Sequence, residues 1–254
     1  MSDNSILTDL IALSRHLGEE WREYAIIGEG NTSARADADT FWVKASGSNL
    51  RTIDENGFVR MNLDRVLNML ETARSDDDVT RGLNESKADS SVTARPSIET
   101  VLHAICLAEG GAQVVGHTHP VAINIVLCSQ QAPSLLRHLM PDVVVVCGVA
   151  PVLVPYADPG LPLARAVRAA LHQNMEKYGE APKAIYLQNH GFFALGQTMR
   201  EVENITAMAV KNARILAPTF ALGGPNFLSD TDVSRINTRL DEILRRQQFA
   251  AKST

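Results

Sequence analysis

The sequence predicts a mixed α/β domain, and three observations carry that expectation. Short apolar runs of strand length occupy residues 113–117, 143–146 and 183–187, and apolar residues recur at helical spacing over 6–17, 161–178 and 199–216. The 254 residues, 45% hydrophobic and 21% charged, lie within what one hydrophobic core can serve. A single domain over residues 1–254 is therefore expected.

Along the chain, Ile6, Leu10, Leu13 and Leu17 mark a first helix that stops at Gly18. Ile26 and Ile27 then lead into the glycine-rich loop Gly28-Glu29-Gly30-Asn31-Thr32-Ser33. Phe41, Trp42 and Val43 are strand formers, and the strand they predict ends at Ser46-Gly47-Ser48. Residues 74–94 are polar, with the run Asp76-Asp77-Asp78, and read as an exposed insertion. Pro96 suits the start of a helix reaching about residue 109, with Val101, Leu102 and Ile105 on its apolar side. The three apolar runs read as buried strands separated by helices. Gly223-Gly224-Pro225 precedes a last helix over 231–249, so a C-terminal helical arm is expected from about 225.

Composition excludes several classes of partner. Lys and Arg number 24 against 29 Asp and Glu, and a net charge of -5 gives no global attraction to nucleic acid or anionic membrane. No apolar run reaches the roughly 20 residues that span a bilayer, and the acidic Met1-Ser2-Asp3 start is unlike a secretory signal. A cytosolic protein is expected. Cys106, Cys128 and Cys147 lack metal-type spacing and lie among apolar neighbours, which reads as three buried free thiols.

His117-Thr118-His119 is the sharpest chemical feature, because residues two apart on a strand point the same way and two imidazoles can converge on one metal ion. By itself the spacing also occurs by chance among satisfied or exposed histidines. His190 follows another apolar run and precedes Gly191, and a third imidazole would leave a metal with an open coordination position. Glu99 falls after Arg95-Pro96-Ser97-Ile98, where an acid serves either as a helix-terminus charge or as a general base facing the metal. The loops around Gly30 and Asn31 and around Ser46 and Gly47 offer an anion nest, with Lys44 supplying charge, or else two plain turns.

Taken in order, Gly-x-Gly-Asn-x-Ser, Ser-Gly, Pro-Ser-x-Glu, His-x-His and His-Gly make the chain resemble the class II aldolase and adducin family from about residue 6 to 216. The resemblance implies a central, mostly antiparallel β-sheet flanked by helices, and a homotetramer with sites at subunit contacts. It implies His117, His119 and His190 as ligands of a divalent metal, zinc first with cobalt or manganese as alternatives, and Glu99 as the catalytic acid/base. Gly30, Asn31, Lys44, Ser46, Gly47 and Ser97 fall at the phosphate-binding loops. The implied reaction is retro-aldol cleavage, or its reverse, of a small sugar or sugar-phosphate substrate through an enediolate. An epimerase, dehydratase or decarboxylase on the same site is the alternative, with a non-catalytic adducin-like module behind them. Two departures stand out: Ile98 occupies the place of a second serine, and no aromatic residue stands near 139–142. His103 and Tyr156 are candidate donors for the aldehyde oxygen.

Overall fold

A computed structural model describes residues 3–250. Its sheet is built from β1 (Asn31–Arg35), β2 (Thr40–Lys44), β3 (Phe58–Asn62), β4 (Val114–Thr118), β5 (Val152–Val154), β6 (Ala184–Leu187) and β7 (Gly191–Gly196). The order across the sheet is β3-β2-β1-β4-β7-β6-β5, and each neighbouring pair is antiparallel except the parallel β5 and β6. The expected mostly antiparallel sheet between helices is therefore present.

Helices cover both faces. One face packs against α2 (Leu63–Thr72), α3 (Asp76–Glu85), α4 (Thr100–Ala108) and α7 (Leu161–Tyr178), with Phe41, Val43, Val115 and Phe193 pointing into that layer. The other packs against α1 (Asp3–Leu17), α5 (Val121–Leu127), α6 (Pro141–Cys147) and α8 (Met199–Thr219), reached by Ala34, Val114, Tyr186 and Phe192. The alternation follows from the two-residue period of a strand. No helix among the described residues is long and apolar enough to cross a membrane.

Several local expectations are corrected. Residues 143–146 belong to α6 and not to a strand: Pro141 opens the helix, Asp142 sits in its first turn, and the valines are buried on more than one side of it. An unbroken apolar run carries no period, so surrounding contacts outweigh β-propensity there. Residues 74–94 contain α3, whose Ser75 and Asp78 form a capping box and whose Val79 and Leu83 enter the core. The acidic run is thus a helix N-terminus, where negative charge is favourable. Pro96 does not open a helix; it bridges to Ala45, and α4 begins at Thr100. The terminal helix is two, α9 (Asp230–Thr238) and α10 (Leu240–Ala250), separated by extended backbone at Arg239. Ile236 of α9 packs on Val144 and Val145. Cys106 and Cys147 are buried, and burial pushes both thiols up to about 12, whereas Cys128 at the end of α5 is exposed.

Leu83→Ala tests the reassigned segment. With Leu83 in the core, the substitution is expected to cost about 2–5 kcal/mol in urea unfolding. An unchanged midpoint would mean that α3 contributes nothing to the packed fold.

Candidate functional site

The adjacency of β1, β4 and β7 assembles the site. Asn31 on β1, His117 on β4 and Phe193 on β7 lie in one row across the sheet and share a face. His119 follows β4, and its N–H donates to the Tyr24 carbonyl at 2.8 Å. His190 sits in the three-residue turn between β6 and β7, after Asn189 at φ 56°, a left-handed conformation that asparagine tolerates. The Asn124 amide donates to the His190 carbonyl at 3.1 Å.

These elements bring ring nitrogens of His117, His119 and His190 within 4.8 Å of one another. The ring centroids lie 4.8, 5.1 and 5.0 Å apart. Gly191 makes the convergence possible: a Cβ there would fall 2.6 Å from His119 Cδ2 and 2.7 Å from the Thr118 carbonyl oxygen. The 3.1 Å contact to the Phe192 carbonyl requires N–H at His117 Nδ1, so the Nε2 lone pair faces His119 Nε2, 3.0 Å away.

Glu99 completes the cluster. It stands at the N-cap position of α4, yet its side chain makes no capping hydrogen bond. Oε1 lies 3.3 Å from His117 Nε2 and 3.1 Å from His190 Nε2, while Oε2 accepts the Asn31 amide at 2.8 Å. Burial pushes its pKa up, but the neighbouring His117 and the close contacts with His117, His190 and Asn31 outweigh burial and hold the carboxyl well below its ordinary value. Burial, helped by His117, pushes His103 down to about 3, and burial with the neighbouring His117 and His190 does the same to His119. Imidazole lone pairs and a carboxylate oxygen facing one point need protons or a cation between them, so these residues fit a divalent metal.

The loops meet beside this cluster. The buried Lys44 amine donates to the Gly28 carbonyl at 3.1 Å; burial lowers its pKa, partly opposed by Glu99. The Ser46 N–H donates to the Arg95 carbonyl at 2.7 Å, joining the exposed Gly47 turn to the Ser97 segment. Gly30 is needed at φ 67°, where a Cβ would sit 2.6 Å from the His117 carbonyl oxygen. The Ser97 hydroxyl accepts the Glu99 N–H at 3.3 Å.

Some expected roles change. The Asn31 side chain is committed to Glu99 and His103, not turned to an anion in the loop. His103 is fully buried with both ring nitrogens bonded, so it is no proton donor to a substrate, and the Tyr156 hydroxyl donates to Asp158 on the surface. Glu29 was not singled out in the sequence, yet its Oε1 lies 3.8 Å from His119 Nδ1. Its position between two glycines was the available signal. A cavity of ≈ 380 Å³ adjoins His119, lined by Glu29, Ile26, Val121, Asn124 and Ile125 among others.

Comparison with known proteins agrees with this architecture. The N-terminal class II aldolase domain of a conserved protein from Thermoplasma acidophilum is 26% identical, with 82% of this chain and 92% of that one covered and a TM-score of 0.65. An L-fuculose 1-phosphate aldolase, 19% identical, covers 93% of this chain and 96% of its own at a TM-score of 0.69, a likeness of fold. The uncharacterized oxidoreductase YuxG of Bacillus subtilis (strain 168) is 26% identical over 214 residues, which span 81% of this chain and 28% of that protein. Residues 8–217 match the Class II Aldolase and Adducin N-terminal domain, and the chain therefore belongs to the class II aldolase and adducin family.

Proposed function

We propose that the protein is a divalent-metal-dependent carbon–carbon lyase that cleaves or forms a small ketose phosphate or related sugar acid by aldol chemistry. The observation that carries this reading is the Glu99 carboxylate set against three converging imidazoles. His117, His119 and His190 would hold the metal, zinc first and cobalt or manganese otherwise. Bound there, the cation supplies Lewis acidity for a carbonyl and offsets negative charge developing beside it.

Glu99 moves the proton at carbon. Its ionised form accepts that proton in the addition direction, and its acid form returns it after cleavage. The Lys44 amine, the backbone around Gly30, Ser46 and Gly47, and the Ser97 hydroxyl hold the substrate's anionic end. Ile26 is 59% exposed beside His119, and the exposed Val121 and Ile125 extend that apolar surface, which supports a homotetramer closing over the site. The free thiols suit a reducing, cytosolic setting.

A second reading, decarboxylation of an unphosphorylated sugar acid, is favoured by Ile98 and by the Glu29 carboxylate, both unsuited to a phosphate dianion. Screening ketose phosphates and free sugar acids with zinc, cobalt and manganese separates the readings by product. An aldehyde fragment supports cleavage; carbon dioxide or an inverted carbon without fragments overturns the aldol proposal in favour of its rivals.

Three predictions follow from these assignments. His117→Ala or His190→Ala is expected to lose both metal and turnover, while Glu99→Gln keeps metal and loses turnover by about 10²–10⁴-fold. Full turnover in Glu99→Gln would remove its role. Gly191→Ala is expected to weaken metal affinity by about 10–100-fold in a competitive chelator titration, because its Cβ displaces His119. The third concerns pH. His103 and His119 are held near 3 against 6.5 for the free side chain, so the unfolded state binds their protons first. Chelator-stripped protein should therefore lose stability as pH falls from about 6.5 towards 3, read as falling urea midpoints. A flat profile would contradict the neutral assignment of these rings.

A further inference from the structure

His103 is a buried, titratable side chain that no step above uses, and its two ring nitrogens bridge two residues of one strand. Asn31 and Ser33 are two apart on β1 and so share a face, and α4 lies over that face. Glu99 and His103 are four apart, one turn along the same helix end. The Ser33 hydroxyl lies 2.7 Å from His103 Nδ1, His103 Nε2 lies 2.5 Å from Asn31 Oδ1, and Asn31 Nδ2 lies 2.8 Å from Glu99 Oε2.

The donors in this chain are determined one by one. An ionised carboxylate only accepts, so the Asn31 NH₂ faces Glu99 and its carbonyl faces His103. That carbonyl also only accepts, so His103 carries its proton on Nε2. The Nδ1 lone pair must then accept from the Ser33 hydroxyl. Phe193 packs against the His103 ring at 5.4 Å between centroids and stacks on His117 at 4.1 Å, so the same side chain fixes both imidazole planes.

We infer that His103 and Ser33 are positioning residues that set the orientation of the Asn31 amide and, through it, hold Glu99 Oε2 while Oε1 faces the imidazole cluster. This rests on Glu99 as the acid/base proposed above. A carboxylate held at one oxygen has one rotamer and presents the other oxygen in a constant direction, the condition for proton transfer to a fixed carbon. Without the restraint, Glu99 can turn both oxygens to the imidazoles.

The test uses the full-length, zinc-loaded protein with Ser33→Ala, His103→Leu and His103→Gln; the glutamine amide can still donate to Asn31 Oδ1. His103→Leu and Ser33→Ala are expected to lower kcat about 10–100-fold with KM changed less than about threefold and zinc content unchanged. His103→Gln should recover most of the loss. Wild-type kcat in His103→Leu, a loss that His103→Gln does not rescue, or a loss accompanied by zinc release overturns the proposal. Two readouts need no turnover and so separate failure of this inference from failure of the lyase reading. ¹⁵N-histidine spectra should show His103 as the single Nε2–H tautomer, replaced by a mixture in Ser33→Ala. A crystal of His103→Leu should show Glu99 Oε2 parted from Asn31. An Nδ1–H tautomer in the wild type, or an unmoved Glu99 in the variant, sinks the inference even if the enzyme is an aldolase.

Discussion

The Glu99 carboxylate is the constraint on which the centre of this molecule depends. A buried charge costs several kcal/mol, on the order that partner removal shows elsewhere, unless other groups compensate it on every side. Here compensation comes from three separate places: His117 on β4, His190 in the β6–β7 turn and Asn31 on β1. Those contacts require β1, β4 and β7 to be neighbours, and the strand order places them so. The sheet's central topology and the chemistry of the site are thus the same requirement, met once.

The price appears in β1. Asn31, Thr32 and Ser33 are buried polar residues in the middle of a sheet, where aliphatic side chains would ordinarily pack. Each is satisfied by a helix on its own side: Thr32 exchanges a 2.6 Å hydrogen bond with Ser14 of α1, and Ser33 bonds His103 of α4. Fully satisfied buried networks specify geometry more strictly than apolar packing, since a shifted register leaves each donor without an acceptor. The strand trades hydrophobic burial for exact placement of Asn31 against Glu99.

That trade also explains what was legible in the sequence. The helices α1, α7 and α8 and the strands β2, β4 and β6 follow from apolar spacing, which reports the period of an element packed on one core. β1 could not be read that way, because Asn-Thr-Ser-Ala-Arg has no apolar alternation, and its stability comes from partners on α1 and α4 that are distant along the chain. The 143–146 run failed for the opposite reason: apolar contacts all round erase periodicity. In the site, His117 and His119 were visible through two-residue spacing and Glu99 through its motif. The duties of Asn31 and His103 were not, since a hydrogen bond between residues 72 apart leaves no local pattern.

Charge balance then limits what the site can hold. Glu99 and Glu29 contribute two negative charges and Lys44 one positive, so a divalent cation among neutral imidazoles leaves a single positive charge near the loops. One carboxylate neutralises that surplus. A phosphate dianion exceeds it and would draw on uncharged donors such as the Ser97 hydroxyl, with no second serine at Ile98 to share the load. The Lys44 ammonium spends one of its three N–H donors on the Gly28 carbonyl. A sugar acid and a sugar phosphate therefore ask different things of the same loops, and the former asks less of the residues this chain carries.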